Sequence, residues 1–458
     1  MRGIAPAAAI ALAALASPSA AAAAPRVADF ELRPAALHAA GGRVGVVSRP
    51  LRAPGGFDLV GMRWSSGAPP LVSLRTRRDG GRWSRWVRVA SSGDHAPDPG
   101  SGERTRSGES DPLWVGRARW VQYRLSRPVG GLVLHFVRAS PGRVRSPVRA
   151  AASTGQPDIR PRSSWDPGHD CRPRVRPSLG QVNVAFVHHT GTTNAYSPQD
   201  VPAMILSICR YHRNSNGWND VGYNFFVDRF GTLWEGRAGG VDKAVVGAQT
   251  QGFNSQSTGI SNLGSFDYAG ETDAALSAMA QLIRWKLPLH GSPTAGKVTL
   301  SSGGGSSNRW RAGRPVEFNR VSGHRDANAT DCPGGALYAQ LPELRNRVGA
   351  FGPAPAGPPP ALALTRPPSR LGIGRLLGLS GSIDPGKPFV TLVLDRQVKH
   401  RWLSYRRIVL GVTEGTFARK ARLRRYGLYR AYVRFGGDGA NGAARSARYR
   451  VRVPHSGG

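Results

Sequence analysis

Two stretches of this 458-residue chain decide the fold: residues 182–190 read VNVAFVHHT, and residues 323–334 read GHRDANATDCPG. The first is an apolar, β-branched run that is typical of a buried strand, and it ends on two histidines. The second sets a histidine and a cysteine eight positions apart on a loop bounded by glycine and proline. Zinc binds imidazole nitrogen and thiolate sulfur, and catalytic zinc sites use three protein ligands. We therefore predict a zinc site made of His324, Cys332 and one histidine of the pair.

The choice between His188 and His189 is left open by spacing alone. Side chains alternate along a strand, so one of the two faces the site and the other faces away. The alternative interpretation is a set of hydrogen-bonded core and loop histidines that bind no metal.

The sequence around these motifs predicts a mixed α/β domain over residues 157–351, with a mixed central sheet flanked by helices. Thr272 is a typical N-cap, because Leu276, Met279 and Ile283 follow it at helical spacing. On both sides of this domain the pattern changes to short alternating strands with Gly, Asp and Pro turns. We predict β-sandwich-like domains over residues 25–150 and 371–458, a Pro-rich linker over 352–370 and a mobile loop over 91–111.

The first 24 residues have one arginine, an Ala/Leu/Ile-rich stretch and several Ala-x-Ala sites. This pattern is typical of a secretory signal peptide and predicts a secreted or cell-wall-associated protein. No stretch is long and apolar enough to be a membrane span. Export permits disulfides, and the cysteines on either side of the His188 strand predict a Cys171–Cys209 bond.

The formal net charge of +35 raises the hypothesis of nucleic-acid binding. The basic residues are spread through every segment, and we find no helix-turn-helix, zinc-finger or RNA-binding signature. We therefore expect no nucleic-acid partner. An exported, monomeric protein of this charge would instead be attracted to anionic cell-wall polymers, above all through its Arg-rich C-terminal domain.

Four ordered motifs carry a family resemblance: FVHHT (186–190), GWNDVGYNFFVDRFGTLWEGR (217–237), GAQTQGFNSQSTGIS (247–261) and GHRDANATDCPG (323–334). Together they resemble the peptidoglycan recognition proteins and the phage-type zinc N-acetylmuramoyl-L-alanine amidases. The resemblance covers roughly residues 160–348 and neither flank.

The resemblance implies that one Zn²⁺ is held by His188, His324 and Cys332, and that Tyr223 and Thr330 are catalytic. Non-catalytic relatives typically lack the cysteine ligand. Cys332 therefore implies an enzyme that hydrolyses the amide between N-acetylmuramic acid and L-alanine in peptidoglycan, with its general base left open. The alternative is a module that binds peptidoglycan without cutting it.

The same resemblance implies a set of substrate contacts. Where relatives usually have histidine, this chain has Gln249, which makes that contact less well supported. Gly217 and Trp218 match relatives that prefer meso-diaminopimelate stems, and an arginine can grip the extra carboxylate of that residue. The implied substrate-binding residues are Thr190, Gly217, Trp218, Arg237, Gln249 and Asn254.

Overall fold

The computed structural model describes residues 27–34, 45–90, 95–106, 108–139, 155–350, 360–384, 387, 389–435 and 444–454. The predicted signal peptide lies outside these ranges. The described residues form an N-terminal β domain, a central α/β domain and a C-terminal β domain. Across these ranges, no helix has the length and apolar character needed to span a membrane.

The N-terminal domain is a single connected antiparallel sheet, where the sequence predicts a sandwich. Its order is β1-β7-β3-β6-β4-β5, with β2 beside β6. Irregularities in β3 break its pairing with β6 into short pieces. The strands are β1 Val27–Leu32, β2 Val46–Val47, β3 Leu51–Arg63, β4 Val72–Arg77, β5 Val87–Val89, β6 Leu113–Leu125 and β7 Val133–Ala139.

The central domain has the predicted mixed sheet, in the order β15-β9-β12-β10-β11-β8. The β10–β11 pair is antiparallel and the other neighbours are parallel. As predicted, Thr272 caps α2, accepting a hydrogen bond from the Ala275 amide. The elements are β8 Ile159–Arg160, β9 Val184–His189, α1 Val201–Asn214, β10 Phe225–Val227, β11 Leu233–Glu235, β12 Ser257–Asn262, α2 Asp273–Leu289, β13 Lys297–Ser301, β14 Pro315–Asn319, β15 Val321–Gly323, α3 Gly335–Ala339 and α4 Leu341–Ala350.

Both faces of the central sheet are covered, which explains the continuous apolar run of β9. Ala185 and Val187 pack in the cluster that contains α2 and α4. Val184 and Phe186 pack on the opposite face, against Phe253. Because side chains alternate along a strand, His188 belongs to the second face.

The C-terminal domain has two sheets around one apolar core. The orders are β16-β17-β20 and β19-β18-β21-β22, with β23 also paired to β21. The first strand lies inside the stretch predicted as linker, so the domain begins earlier than residue 371. The strands are β16 Ala361–Leu364, β17 Leu376–Asp384, β18 Phe389–Val398, β19 Arg401–Gly411, β20 Thr416–Arg422, β21 Gly427–Phe435, β22 Ala444–Arg445 and β23 Tyr449–Val453.

Candidate functional site

The three residues predicted to bind metal meet at one end of the central sheet. His188 is near the end of β9, and His324 follows β15 directly. These strands are parallel neighbours in which Gly323 is opposite Val187, so the two histidines leave the sheet side by side, with ring centroids 4.5 Å apart. The loop after His324 then brings the Cys332 sulfur to 3.7 Å from Nδ1 of His188.

A buried glutamine orients the first histidine. Nε2 of His188 lies 2.6 Å from Oε1 of Gln249, whose amide nitrogen donates to Ser257. An Nε2–H bound to Gln249 leaves the Nδ1 lone pair directed at Cys332. Burial, with smaller contributions from His324 and His95, holds the pKa of His188 well below its usual range, so the ring is neutral, the form that binds metal.

The neighbouring histidine faces away from this cluster. Nδ1 of His189 accepts a hydrogen bond from the Phe266 amide on the α2 side of the sheet. Its backbone contributes instead, since the His189 N–H donates to the sulfur of Cys332 at 3.3 Å. Such a donor stabilises a thiolate.

Thr330 holds the turn that presents the cysteine. Its hydroxyl accepts a hydrogen bond from the Cys332 amide at 3.0 Å. The side chain is half-buried. The structure thus gives this hydroxyl, implied to be catalytic, a bond that positions the Cys332 backbone.

A fourth candidate ligand, which no sequence motif predicts, comes from the N-terminal domain. Nε2 of His95 lies 4.0 Å from the Cys332 sulfur, and its ring centroid is 4.5 Å from that of His324. Nδ1 of His95 lies 3.6 Å from a carboxylate oxygen of Asp111. The ligand atoms of His95, His188, His324 and Cys332 all lie within 4.8 Å of one another.

The donor set fits zinc. Zn–S and Zn–N bonds of about 2.3 and 2.0 Å at tetrahedral angles place sulfur and nitrogen about 3.5 Å apart. The two sulfur–nitrogen separations, 3.7 and 4.0 Å, need only small adjustments to reach that value. All four side chains are buried, so the site offers soft and borderline ligands in a setting that excludes bulk water.

The tyrosine implied to be catalytic borders the same cluster. Its hydroxyl lies 3.3 Å from Nε2 of His95. On its other side, Tyr223 packs near the buried His212, which accepts a hydrogen bond from the Gly222 amide. His212 therefore fixes the chain just before Tyr223, the core role that its helical position indicates.

The residues implied to contact substrate divide into two groups. Gln249 has no exposed surface, and its side chain bonds the ring of His188 inside the domain. Thr190 bonds to Thr192 and to the Gly264 amide, inside the domain. The remaining four lie against residues 95–106 of the N-terminal domain: Gly217, Trp218, Arg237 and Asn254.

The predicted disulfide is present between Cys171 and Cys209, joining the segment before the His188 strand to α1. With the carboxylate of Asp220 these sulfurs form a second tight group. Disulfide sulfurs are not thiolates, so this group is not a metal site while the bond is intact.

The fold and the cluster define a mixed α/β domain with a His/His/Cys group that could hold a metal ion. Two family models match the chain. Residues 178–335 match the N-acetylmuramoyl-L-alanine amidase family. Residues 13–158 match a family described as Rv3811 N-terminal galactose-binding domain-like, consistent with the largely sheet N-terminal domain.

Three similar proteins illustrate the match. The human N-acetylmuramoyl-L-alanine amidase is 32% identical over 228 residues, which are 48% of this chain and 34% of the human protein. Peptidoglycan-recognition protein SA of Drosophila melanogaster is 31% identical over 33% of this chain and 69% of its own length. The bumblebee PGRP-SA structure has 26% identity and a TM-score of 0.32, covering 41% of this chain and 95% of that one. The chain thus spans only about a third of the human relative.

The chain belongs to the family of peptidoglycan recognition proteins and N-acetylmuramoyl-L-alanine amidases.

Proposed function

We propose that this protein is a zinc-dependent N-acetylmuramoyl-L-alanine amidase. The observation that carries the proposal is the convergence of His188, His324 and Cys332 on one point, with the Tyr223 hydroxyl at its border. A bound zinc ion supplies a water of lowered pKa and polarises the scissile carbonyl. The bond cleaved is the amide between the lactyl group of N-acetylmuramic acid and L-alanine of the stem peptide.

The chain's own residues have separable roles in this proposal. Gln249 fixes the ring of His188, and Thr330 fixes the backbone of Cys332. The Tyr223 hydroxyl, at the border of the cluster, would donate to the oxyanion that develops on the scissile carbonyl. It is not a base at neutral pH.

We extend the proposal to stems that carry meso-diaminopimelate. Arg237 is buried, with only 6% of its side chain exposed, and it already grips a carboxylate, that of Glu103, at 2.5 Å. A guanidinium in this setting suits the extra carboxylate of diaminopimelate. If stems with lysine in that position are cleaved as fast as diaminopimelate stems, the specificity proposal fails.

Export and wall attachment complete the proposal. The pattern of residues 1–24 supports secretion, and the charge of +35 supports attraction to the anionic polymers of a cell wall. No nucleic acid is part of this proposal.

The test is an incubation of purified full-length protein with peptidoglycan sacculi, with and without a chelator, followed by mass spectrometry of released peptides. We also test the His95→Ala variant, because the side chain of His95 lies in the same cluster as the three proposed ligands. The expected products are stem peptides with a free L-alanine amino group, lost with chelator and restored by added zinc. Cys332→Ser is the matched variant and should release none.

If neither the wild-type nor the His95→Ala protein releases stem peptides, the amidase proposal is refuted. Retained binding to sacculi in that case would identify the protein as a non-catalytic peptidoglycan-binding module.

A further inference from the structure

A segment of the N-terminal domain lies across the candidate site. We call residues 95–106 the strap. The sequence predicts this region to be a mobile loop, but its contacts with the central domain are numerous and specific. Three of them fall on the metal cluster and on residues implied to bind substrate.

The first contact is His95, whose side chain is buried in the metal cluster. Catalytic zinc sites keep one position open for water, whereas structural sites are closed by four protein ligands. Nε2 of His95 is near Cys332 and Tyr223, and Nδ1 faces Asp111. A carboxylate behind a histidine is the usual support for a metal-bound imidazole. His95 is therefore the side chain that would fill, as a fourth ligand, the position that hydrolysis requires.

The second contact is Asp98, which lies over the turn that contains Asn254. One carboxylate oxygen accepts hydrogen bonds from the Gly252 amide at 2.7 Å and from the Asn254 side chain at 2.7 Å. The other oxygen accepts from the Ser255 amide at 3.1 Å. The carbonyl of Ala96 also accepts from the Asn254 side chain, so the strap uses the donors of this implied substrate contact.

The third contact is Glu103, which pairs with Arg237. The two charged groups are 2.5 Å apart, and their side chains are 6% and 8% exposed. The second oxygen of Glu103 accepts from the Asn219 amide at 2.8 Å. Next to it, Thr105 accepts a hydrogen bond from the indole of Trp218. A carboxylate of this chain thus occupies the group that would recognise a carboxylate of the substrate.

We propose that the strap holds the protein in a latent state, with His95 as a fourth metal ligand and Asp98 and Glu103 in place of substrate groups. We call the surface formed by Gly217, Trp218, Arg237 and Asn254 the groove. Its assignment to substrate rests on the amidase function proposed above. The physical basis of the latent state is competition. Substrate enters the site only when His95, Asp98 and Glu103 of the strap leave it.

The first experiment measures zinc affinity, which does not depend on turnover. Full-length wild type, His95→Ala and Arg104→Ala are titrated with zinc against a chromophoric chelator, and folding is checked by circular dichroism. Arg104 is the matched control, since it is an exposed strap residue beside Glu103. Loss of a ligand should weaken zinc binding at least about tenfold in His95→Ala only. Equal affinity in wild type and His95→Ala would overturn the role of His95.

The second experiment measures access to the groove. Metal-free wild type, Glu103→Gln and Arg104→Ala are titrated calorimetrically with a soluble muramyl tripeptide containing meso-diaminopimelate. Freed from its partner, Arg237 should bind this probe at least about tenfold more tightly in Glu103→Gln. If wild type and Glu103→Gln have the same affinity, whether measurable or not, the strap does not cover the groove and the proposal is overturned.

The two proposals fail separately. At saturating zinc, faster peptide release by His95→Ala than by wild type is the expected result for both. A different outcome is weaker zinc binding by His95→Ala and tighter probe binding by Glu103→Gln, with no peptide released by any variant. That result would support the strap in a protein that binds peptidoglycan without cutting it, and it would refute the amidase. Equal release by wild type and His95→Ala would keep the amidase and refute latency.

Discussion

Replacing Cys171 and Cys209 together by alanine should cost several kcal/mol of stability in the central domain. The two residues are 38 apart in sequence and bonded to each other. Cross-linking a loop of that length removes about 13 cal/mol/K of unfolded-state entropy, or about 4 kcal/mol at 25 °C. Ordinary domains have about 5–15 kcal/mol in total, so the loss is a large fraction of the stability.

The structure shows why this loss reaches the site. Cys171 is held by Asp166 and by Arg162, while Cys209 lies on α1. One turn further along that helix, His212 fixes the Gly222 amide next to Tyr223. Because both cysteines are fully buried, their removal also leaves unfilled space in this cluster.

The assay is guanidinium unfolding of metal-free wild type and of the double variant, each with and without reductant. Reductant should lower the unfolding midpoint of wild type and leave the variant unchanged. Denatured, unreduced wild type should titrate as one thiol, that of Cys332. A difference in unfolding free energy below about 1 kcal/mol would contradict the loop-entropy argument. Three titratable thiols would show that the bond is absent and would make Cys171, Cys209 and Asp220 a candidate metal site.

Two further predictions concern buried groups. Gln249→Leu should weaken zinc binding by about 10- to 100-fold, because the hydrogen bond that orients the His188 ring is lost. A zinc titration that matches wild type would show that Gln249 does not support this ligand. Burial lowers the pKa of Lys286 from 10.5 to about 7, so between these values the unfolded state binds more protons and stability rises with pH. From pH 7 to 9 wild type should therefore gain about 2–3 kcal/mol relative to Lys286→Met in denaturant unfolding, and a constant difference would show that Lys286 does not titrate there.

The sequence predicted the central fold well because both determinants of that fold are local. The apolar run of β9 indicates a strand buried on both faces, and Thr272 marks the start of α2. The choice between His188 and His189 was not local. It depends on which sheet face Cys332 reaches, and that is set by the pairing of β15 with β9. The family resemblance supplied His188, and the structure places its ring beside Cys332.

Two residues show where local reasoning ends. His95 lies in a Ser/Gly/Asp-rich stretch without periodicity, 93 positions before His188, and no spacing rule connects them. The contact of Gln249 with His188 also lies beyond its motif, because it depends on the burial of the Gln249 amide under that ring. In both cases tertiary packing between distant segments decides the chemistry.

The nature of the contacts indicates which part of the molecule would move to open the site in the latent state proposed above. The N-terminal sheet shares an apolar cluster with α1. Tyr211 of that helix donates to the Met62 carbonyl and packs so closely that a side-chain carbon at Gly61 would lie 2.3 Å from its ring. Separating the domains would expose this apolar surface to water. The strap, in contrast, is held through Asp98 and Glu103 by hydrogen bonds and charges that water or substrate carboxylates can replace. For the latent state proposed above, we therefore expect opening to proceed by release of the strap, with the N-terminal sheet still docked on α1.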